Sequence, residues 1–213
     1  MLLSKYSIIF IAVSALLLMS LGTNATSRWN VEILIFQNQD IIGSDKEYWP
    51  KSPGKPDLSQ TIEFTHDSID LQNIGTHELD IVATRLQSSD LYRPLLLLGW
   101  SQEEYSKKYP RRIHVHSGIP NRFETPVDAV DGWVSLTKAR YLHLEVDLIL
   151  HGELISKEVV DTEHFRLRDK RRIKHSRQVY YIDHPMFGIL VYITPEEKEK
   201  NEVFVNEENI TFN

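Results

Sequence analysis

The chain of 213 residues contains no cysteine and carries a formal net charge of −6 at pH 7. Without cysteine there are no disulfides, no thiolate metal sites and no cysteine nucleophile. The excess of acidic residues argues against nucleic acid as the main partner, and the length fits one domain with short appendages.

Residues 1–25 have the layout of a secretory signal peptide. Lys5 is followed by an apolar run from Tyr6 to Leu21, and small residues end the segment around Ala25. This run is shorter than the roughly 20 residues that a membrane-spanning helix needs, so we expect cleavage after Ala25 rather than a retained anchor. No cysteine follows the run, which excludes a lipoprotein acylated on its mature N-terminal residue.

The mature chain opens with a strand-helix-strand pattern. Residues 28–37 are apolar on both faces, which predicts a strand at the centre of a sheet. Thr76 is a suitable N-cap for a helix that ends near Ser88, and the apolar stripe of this helix consists of Leu79, Val82, Ala83 and Leu86. The leucine-rich segment 92–102 predicts a second buried strand. One main helix against a predominantly antiparallel sheet predicts an α+β protein.

Two segments lack a periodic pattern. Residues 38–75 are polar and interrupted by prolines, and we expect a long loop insertion of the kind that often binds a ligand or moves. Trp49 within it is expected to pack back on the body of the protein. Residues 196–213 are acidic with few apolar side chains, which predicts a disordered tail or a peripheral strand. The sequence therefore predicts a single domain over residues 26–195.

The clearest periodicity lies between residues 131 and 195. In segment 141–150 five aliphatic residues alternate with polar ones, which predicts a strand with one buried face. Segment 165–174 carries basic residues at every alternate position of one face, and we call this set the cationic stripe: Arg166, Arg168, Lys170, Arg172 and Lys174. With the apolar run 179–194, these segments are expected to form one small antiparallel sheet.

The cationic stripe needs counter-charges, because five like charges on one strand face repel one another. Arginine forks are well suited to carboxylate groups. Because the chain is expected to be exported, its candidate ligands are the anions of the cell envelope. These are peptidoglycan stem-peptide carboxylates, lipopolysaccharide phosphates and acidic protein surfaces. The alternative is a solvated surface, neutralised by the acidic tail or by Glu145, Asp147, Asp161 and Glu163.

His114 and His116 have the spacing of metal ligands. Alternate residues of a strand point the same way, so both imidazoles can reach one ion, and a carboxylate such as Asp147 would complete a zinc site. Further candidate ligands are His143, Glu145 and His184. The sequence lacks the partner motif His-Glu-x-x-His, and we therefore favour exposed polar positions for the two histidines. No Gly-x-Ser-x-Gly or Ser-x-x-Lys motif occurs in a strand-to-helix context.

Several blocks of the sequence resemble, in the same order, the CsiV family. They are Trp29–Phe36, Tyr92–Trp100, Ile113–His116, Asp131–Leu136, Arg140–Leu148 and Tyr181–Val191, together with Arg171 and Arg172. The blocks cover nearly all of the mature chain up to Pro195. The resemblance implies a periplasmic protein that binds peptidoglycan and promotes cell-wall synthesis by a class A penicillin-binding protein and its outer-membrane lipoprotein activator. It supplies no catalytic residues and no established binding residues.

The combined prediction is a non-catalytic periplasmic protein that binds peptidoglycan carboxylates through the cationic stripe. It uses no cofactor, metal or nucleic acid, and has no stable membrane span after processing. Trp100 or Trp133 would offer a sugar-stacking surface, although a core position is expected for both. Two alternatives stay open. One is a zinc-dependent peptidoglycan peptidase that uses His114, His116 and a carboxylate such as Asp147, and the other is a pure protein adaptor whose stripe docks on an acidic partner.

Overall fold

The computed structural model describes residues 27–39, 50, 52–64, 71–74, 78–151 and 164–196. These ranges contain β1 Arg28–Asn38, β2 Thr61–Glu63, β3 Leu71–Asn73, α1 Glu78–Gln87, β4 Tyr92–Glu103, β5 Arg112–His116, β6 Val130–Lys138, β7 Leu142–His151, β8 His164–Ile173, β9 Val179–His184 and β10 Phe187–Pro195. The predicted signal peptide, Trp49, Thr76 and residues 197–213 lie outside them. Within the described ranges, no helix has the length and apolar character needed to cross a bilayer.

The strands form two sheets of five strands each. The first sheet has the order β3-β4-β1-β10-β9, and the second has the order β2-β5-β6-β7-β8. All pairings are antiparallel except that of the short edge strand β2, which runs parallel to β5. The α+β class is confirmed, and so is the central position of β1 in its sheet.

The inner faces of the two sheets share one hydrophobic core. Alternate residues of β1 and β10 in the first sheet and of β6 and β7 in the second belong to the same buried cluster. Trp100 is fully buried in this cluster. Each aliphatic side chain buried there stabilises the fold by roughly 1.5 to 3 kcal/mol, so the period-two pattern of the sequence accounts for the packing of the sheets.

The helix covers the outer face of the first sheet. Leu79 and Ala83 of α1 pack on Leu34 of β1 and Leu97 of β4. The carboxylate of Glu32, itself buried, accepts hydrogen bonds from the backbone N–H groups of Glu78 and Leu79 at 3.3 and 3.0 Å. An acid at this position offsets the positive end of the helix dipole and satisfies two amides that have no partner within the helix.

Two sequence expectations differ from the structure. The strands between residues 131 and 195 do not form one sheet, because β10 pairs with β1 in the first sheet whereas β6, β7 and β8 belong to the second. The 38–75 segment, expected as a loop, contains the short strands β2 and β3. Ile62 of β2 and Phe64, which directly follows the strand, pack against the main core. Isolated apolar residues in a polar segment gave too weak a periodicity to indicate these strands.

Candidate functional site

The outer face of the second sheet is polar, in contrast to its inner face. Strands β5, β6, β7 and β8 place alternate residues on it, and these include histidines, carboxylates and arginines. The 52–64 segment lies against this face and is held at several points. His164 contacts the carbonyl oxygen of Gly54 through Nε2 at 2.9 Å, and Arg112 approaches Asp57 at 3.9 Å. The candidate site is therefore a charged sheet surface partly covered by one segment.

The cationic stripe lies on β8, the edge strand of this sheet. Alternate positions of its outer face carry Arg166, Arg168, Lys170 and Arg172, and Lys174 follows the end of the strand. Phe165, Leu167 and Ile173 point inward and are buried. The structure thus gives the stripe the extended geometry that the sequence predicted, while its role in binding stays a prediction.

Arg166 is bound within the protein. Its Nε and Nη2 atoms donate to the two carboxylate oxygens of Asp147 at 2.7 and 2.8 Å, and its Nη1 donates to the carbonyl of Pro53 at 3.2 Å. Asp147 is only 3% exposed. The hydrogen bond with Asp147 raises the pKa of Arg166 above its ordinary value and outweighs the effect of burial. Arg166 therefore holds the 52–64 segment against the sheet and neutralises a buried acid.

The other members of the stripe are more accessible. Lys170 forms an ion pair with Glu145 on the neighbouring strand. Arg168, Arg172 and Lys174 are exposed, and none of them pairs with a carboxylate in the part of the chain that the structure describes. Exposed cations without a carboxylate partner are available to an external anion without the loss of an internal ion pair.

Tyr141 adds an aromatic ring to this end of the stripe. The guanidinium carbons of Arg172 and Arg140 lie 5.0 and 5.5 Å from its ring centroid, and Tyr141 is 38% exposed. It directly precedes Leu142, which pairs with Ile173 at the end of β8. The sequence prediction missed Arg140 and Tyr141. Their place beside the stripe follows from the register of β7 against β8, which the local sequence pattern does not show.

Neither tryptophan considered for sugar stacking offers a free surface. Trp100 has no exposed area, which agrees with the expected core position. Trp133 is 6% exposed, but it lies on the outer face of the second sheet and not in the shared core. The guanidinium of Arg112 covers its ring at 4.6 Å from the centroid. A cation over the indole face occupies the surface that a sugar would use.

The two histidines of the alternative zinc site do lie together, with a different carboxylate. Their ring centroids are 4.6 Å apart on β5. His114 Nδ1 lies 2.7 Å from a carboxylate oxygen of Glu63, and His116 Nε2 lies 3.8 Å from the other oxygen. Asp147 is bound by Arg166 and belongs to β7, two strands from β5. The structure therefore replaces Asp147 by Glu63 as the acidic neighbour.

The pKa values of the two histidines are shifted in opposite directions. Burial lowers the pKa of His114, but its hydrogen bonds with Asp131 and Glu63 outweigh that effect, and the pKa lies above the ordinary histidine value. Burial and the neighbouring His114 lower the pKa of His116. Of the other predicted candidates, His184 lies on β9 of the first sheet, where its ring packs near Phe187. Its position excludes it from this cluster.

A cavity of about 380 Å³ lies beside the helix on the first sheet. Its lining includes Tyr92, Arg93 and Arg122. The two arginines are engaged, because Arg93 donates to the carbonyl of Glu124 and Arg122 forms an ion pair with Asp80 at 3.0 Å. This cavity is therefore a weaker candidate for an anionic ligand than the exposed end of the cationic stripe.

Comparisons with known proteins agree with the resemblance seen in the sequence. The family model described as "Peptidoglycan-binding protein, CsiV" matches residues 8–196. No curated protein and no solved structure matches the chain.

Proposed function

The chain belongs to the CsiV family of peptidoglycan-binding proteins, and from this premise we propose that it contacts the wall through the exposed end of the cationic stripe. The proposed contact residues are Arg168, Arg172 and Lys174, with Arg140 and Tyr141 beside them. The arginines and the lysine bind carboxylates of the stem peptides, and the ring of Tyr141 packs against a sugar. The protein acts in the periplasm, where this polymer is found.

The observation that carries this proposal is the lack of carboxylate partners for these cations among the described residues. In a chain with a net charge of −6, Arg168, Arg172 and Lys174 have no carboxylate partner among the described residues. Arginine binds a carboxylate through two parallel hydrogen bonds, which gives both affinity and orientation. Stem peptides of peptidoglycan present carboxylates at regular intervals, and a row of cations along a strand suits such a ligand.

The proposed site is narrower than the whole cationic stripe. Arg166 is bound to buried Asp147 and to Pro53, so a ligand would have to break these contacts to reach it. Lys170 is already paired with Glu145. We therefore assign structural roles to Arg166 and Lys170 and retain the remaining three members for the ligand.

The proposal is tested by co-sedimentation of the purified protein with isolated peptidoglycan sacculi. We expect the wild type to pellet and the variant Arg168→Glu/Arg172→Glu/Lys174→Glu to stay in solution. A matched control, Arg85→Glu/Lys107→Glu/Lys108→Glu, changes the net charge equally at exposed residues elsewhere and should pellet. Binding should weaken as salt is raised, because the Debye screening length falls to about 3 Å at 1 M salt.

Three outcomes would contradict the assignment. Equal pelleting of the stripe variant and the wild type would remove these residues from the site. Equal loss in the control variant would show that overall charge, and not position, governs binding. A wild type that stays in solution at low salt would exclude direct binding and favour the adaptor function. Circular dichroism of each variant confirms that the change is not due to unfolding.

The family resemblance also underlies a proposed regulatory role. We propose that wall binding places the protein beside a class A penicillin-binding protein and its outer-membrane lipoprotein activator and promotes their synthesis of new wall. Glycan synthesis by the purified enzyme with its activator should rise when the wild type is added. Stimulation by a protein that does not pellet with sacculi would indicate an adaptor, and cleavage of the peptide part of muropeptides would indicate a peptidase.

A further inference from the structure

The outer face of the second sheet carries a group of potential metal ligands at the edge opposite the cationic stripe. Glu63 of β2 and His114 and His116 of β5 each offer one ligand atom, and the three atoms lie within 4.8 Å of one another. We propose that these residues bind one divalent transition-metal ion, with zinc as the best match, and that the ion fixes β2 to β5. This inference does not depend on the proposed wall-binding site.

The backbone brings the three side chains to one point. His114 and His116 are two residues apart on β5, so their rings share a face of the strand. Glu63 is the register partner of His114 in the parallel pairing of β2 with β5. The side chains of Glu63, His114 and His116 are 61%, 16% and 30% exposed, so an ion can enter from solvent.

The two distances from Glu63 to the histidines bracket the spacing of ligand atoms in a tetrahedral zinc site. Zinc bonds of about 2.0 to 2.1 Å place neighbouring ligand atoms about 3.3 Å apart. Here Glu63 lies 2.7 Å from His114 Nδ1 and 3.8 Å from His116 Nε2. Rotation of the Glu63 side chain and tilts of the two rings would adjust these distances toward the zinc geometry. Two imidazoles and one carboxylate are preferred zinc ligands, and water would occupy the fourth position.

Asp131 would orient one of the ligands. Its carboxylate lies 2.7 Å from Nε2 of His114, on the side of the ring that faces away from Glu63. If Nδ1 binds the ion, Nε2–H donates to Asp131, which fixes the tautomer and the ring orientation. A carboxylate behind a metal-binding histidine is a common arrangement, and its removal typically lowers metal affinity 10- to 100-fold. Asp131 is thus a positioning residue and not a ligand.

The ion would stabilise a weakly attached part of the fold. β2 has three residues and is an edge strand that pairs only with β5 in the described part of the chain. Its segment continues across the same face toward β8, where Pro53 and Gly54 contact Arg166 and His164. An ion that joins Glu63 to β5 would hold this segment at one edge of the sheet, while Arg166 holds it at the other.

The test is a zinc titration of the purified protein after treatment with a chelator and without a polyhistidine tag. We expect one equivalent of zinc to bind, and the melting temperature to rise by about 5 to 10 °C at a hundredfold excess over Kd. His116→Gln should abolish this binding. We choose His116 because its ring lies beside that of His114 and makes only a long 3.8 Å contact with Glu63, so the metal-free variant should fold normally. The matched control is His143→Ala on β7, which should bind zinc as the wild type does.

Two further readouts locate the ion. Cobalt in place of zinc should give a visible absorption spectrum typical of nitrogen and oxygen ligands. The substitution Asp131→Asn should shift this spectrum and lower the metal affinity about 10- to 100-fold. Hydrogen exchange of β2 amides should slow about 100-fold at a hundredfold excess of zinc over Kd, since opening of β2 must release the ion.

The inference would be overturned by a wild type that binds no zinc. Undiminished one-to-one binding in His116→Gln would place the ion elsewhere and overturn the assignment of the site. Tight binding without any change in β2 exchange would overturn the proposed attachment of β2 to β5. Sacculus binding can be measured on the same samples, so failure of the metal site and failure of the wall site are separate results.

Discussion

The outer faces of the two sheets have opposite character. On the first sheet, Leu34 and Leu97 are covered by the apolar stripe of the helix. On the second sheet, the corresponding surface carries arginines, histidines and acids and is crossed only by the 52–64 segment among the described residues. The inner faces make the same shared core. The chain therefore stabilises its fold with one outer face, and the other is the face on which we propose the ligand sites.

Each outer face nevertheless contains one buried acid with a structural task. Glu32 on the first sheet is 5% exposed and accepts two backbone N–H groups of the helix. Asp147 on the second sheet is 3% exposed and binds the guanidinium of Arg166. The first acid is compensated by the amides and dipole of a helix, and the second by a full charge. This difference predicts unequal losses in the free energy of unfolding when the two acids are removed.

The largest effect is expected for Asp147→Ala. The change leaves Arg166 without its partner in a position where its side chain is only 20% exposed. Loss of one member of a buried ion pair typically costs about 3 to 5 kcal/mol. Urea unfolding should show this decrease, and Glu145→Ala on the same strand should cost much less because its partner Lys170 is exposed. A loss below about 1 kcal/mol would show that solvent replaces Asp147 and that this face is not structurally dependent on the pair.

A smaller effect is expected for Glu32→Ala. Two backbone N–H groups at the start of the helix lose their acceptor, and removal of a side chain that caps a helix N-terminus costs about 0.5 to 2 kcal/mol. Unfolding in urea measures the total loss, and hydrogen exchange should show that α1 opens before the sheets. Glu78→Gln, which changes an exposed acid of the same helix turn, is the control and should have little effect. Equal exchange of α1 in Glu32→Ala and wild type would refute the capping role.

The sequence predicted the elements of this fold far better than their contacts. Alternating aliphatic residues in β7 and the apolar stripe of α1 are local patterns, and they specified a strand and a helix at nearly the correct residues. The side-chain contacts on the two outer faces join distant residues. Asp147 and Arg166 are 19 residues apart, Glu63 and His114 are 51 apart, and Glu32 meets Leu79 across 47.

Long-range contacts of this kind depend on strand order and register, which cannot be read from the local patterns of one sequence. The basic periodicity of β8 therefore located the stripe, but it did not show that Arg166 is bound to Asp147 or that Tyr141 lies beside Arg172. For the same reason, the spacing of His114 and His116 indicated a pair of ligands, while the carboxylate beside them was identified only by the pairing of β2 with β5.

The smallest effect is expected for Lys170→Ala. Its ion pair with Glu145 is accessible, with the lysine side chain 52% exposed, and such pairs contribute between about 0 and 1 kcal/mol. We expect a loss of stability within this range and sacculus binding close to that of the wild type, because Lys170 is occupied by Glu145. Arg168→Ala is the matched comparison on the same strand face and should weaken sacculus binding without a larger loss of stability. If both substitutions weaken binding equally, the ligand recognises the whole row of charges, and the division of the stripe into structural and binding residues is wrong.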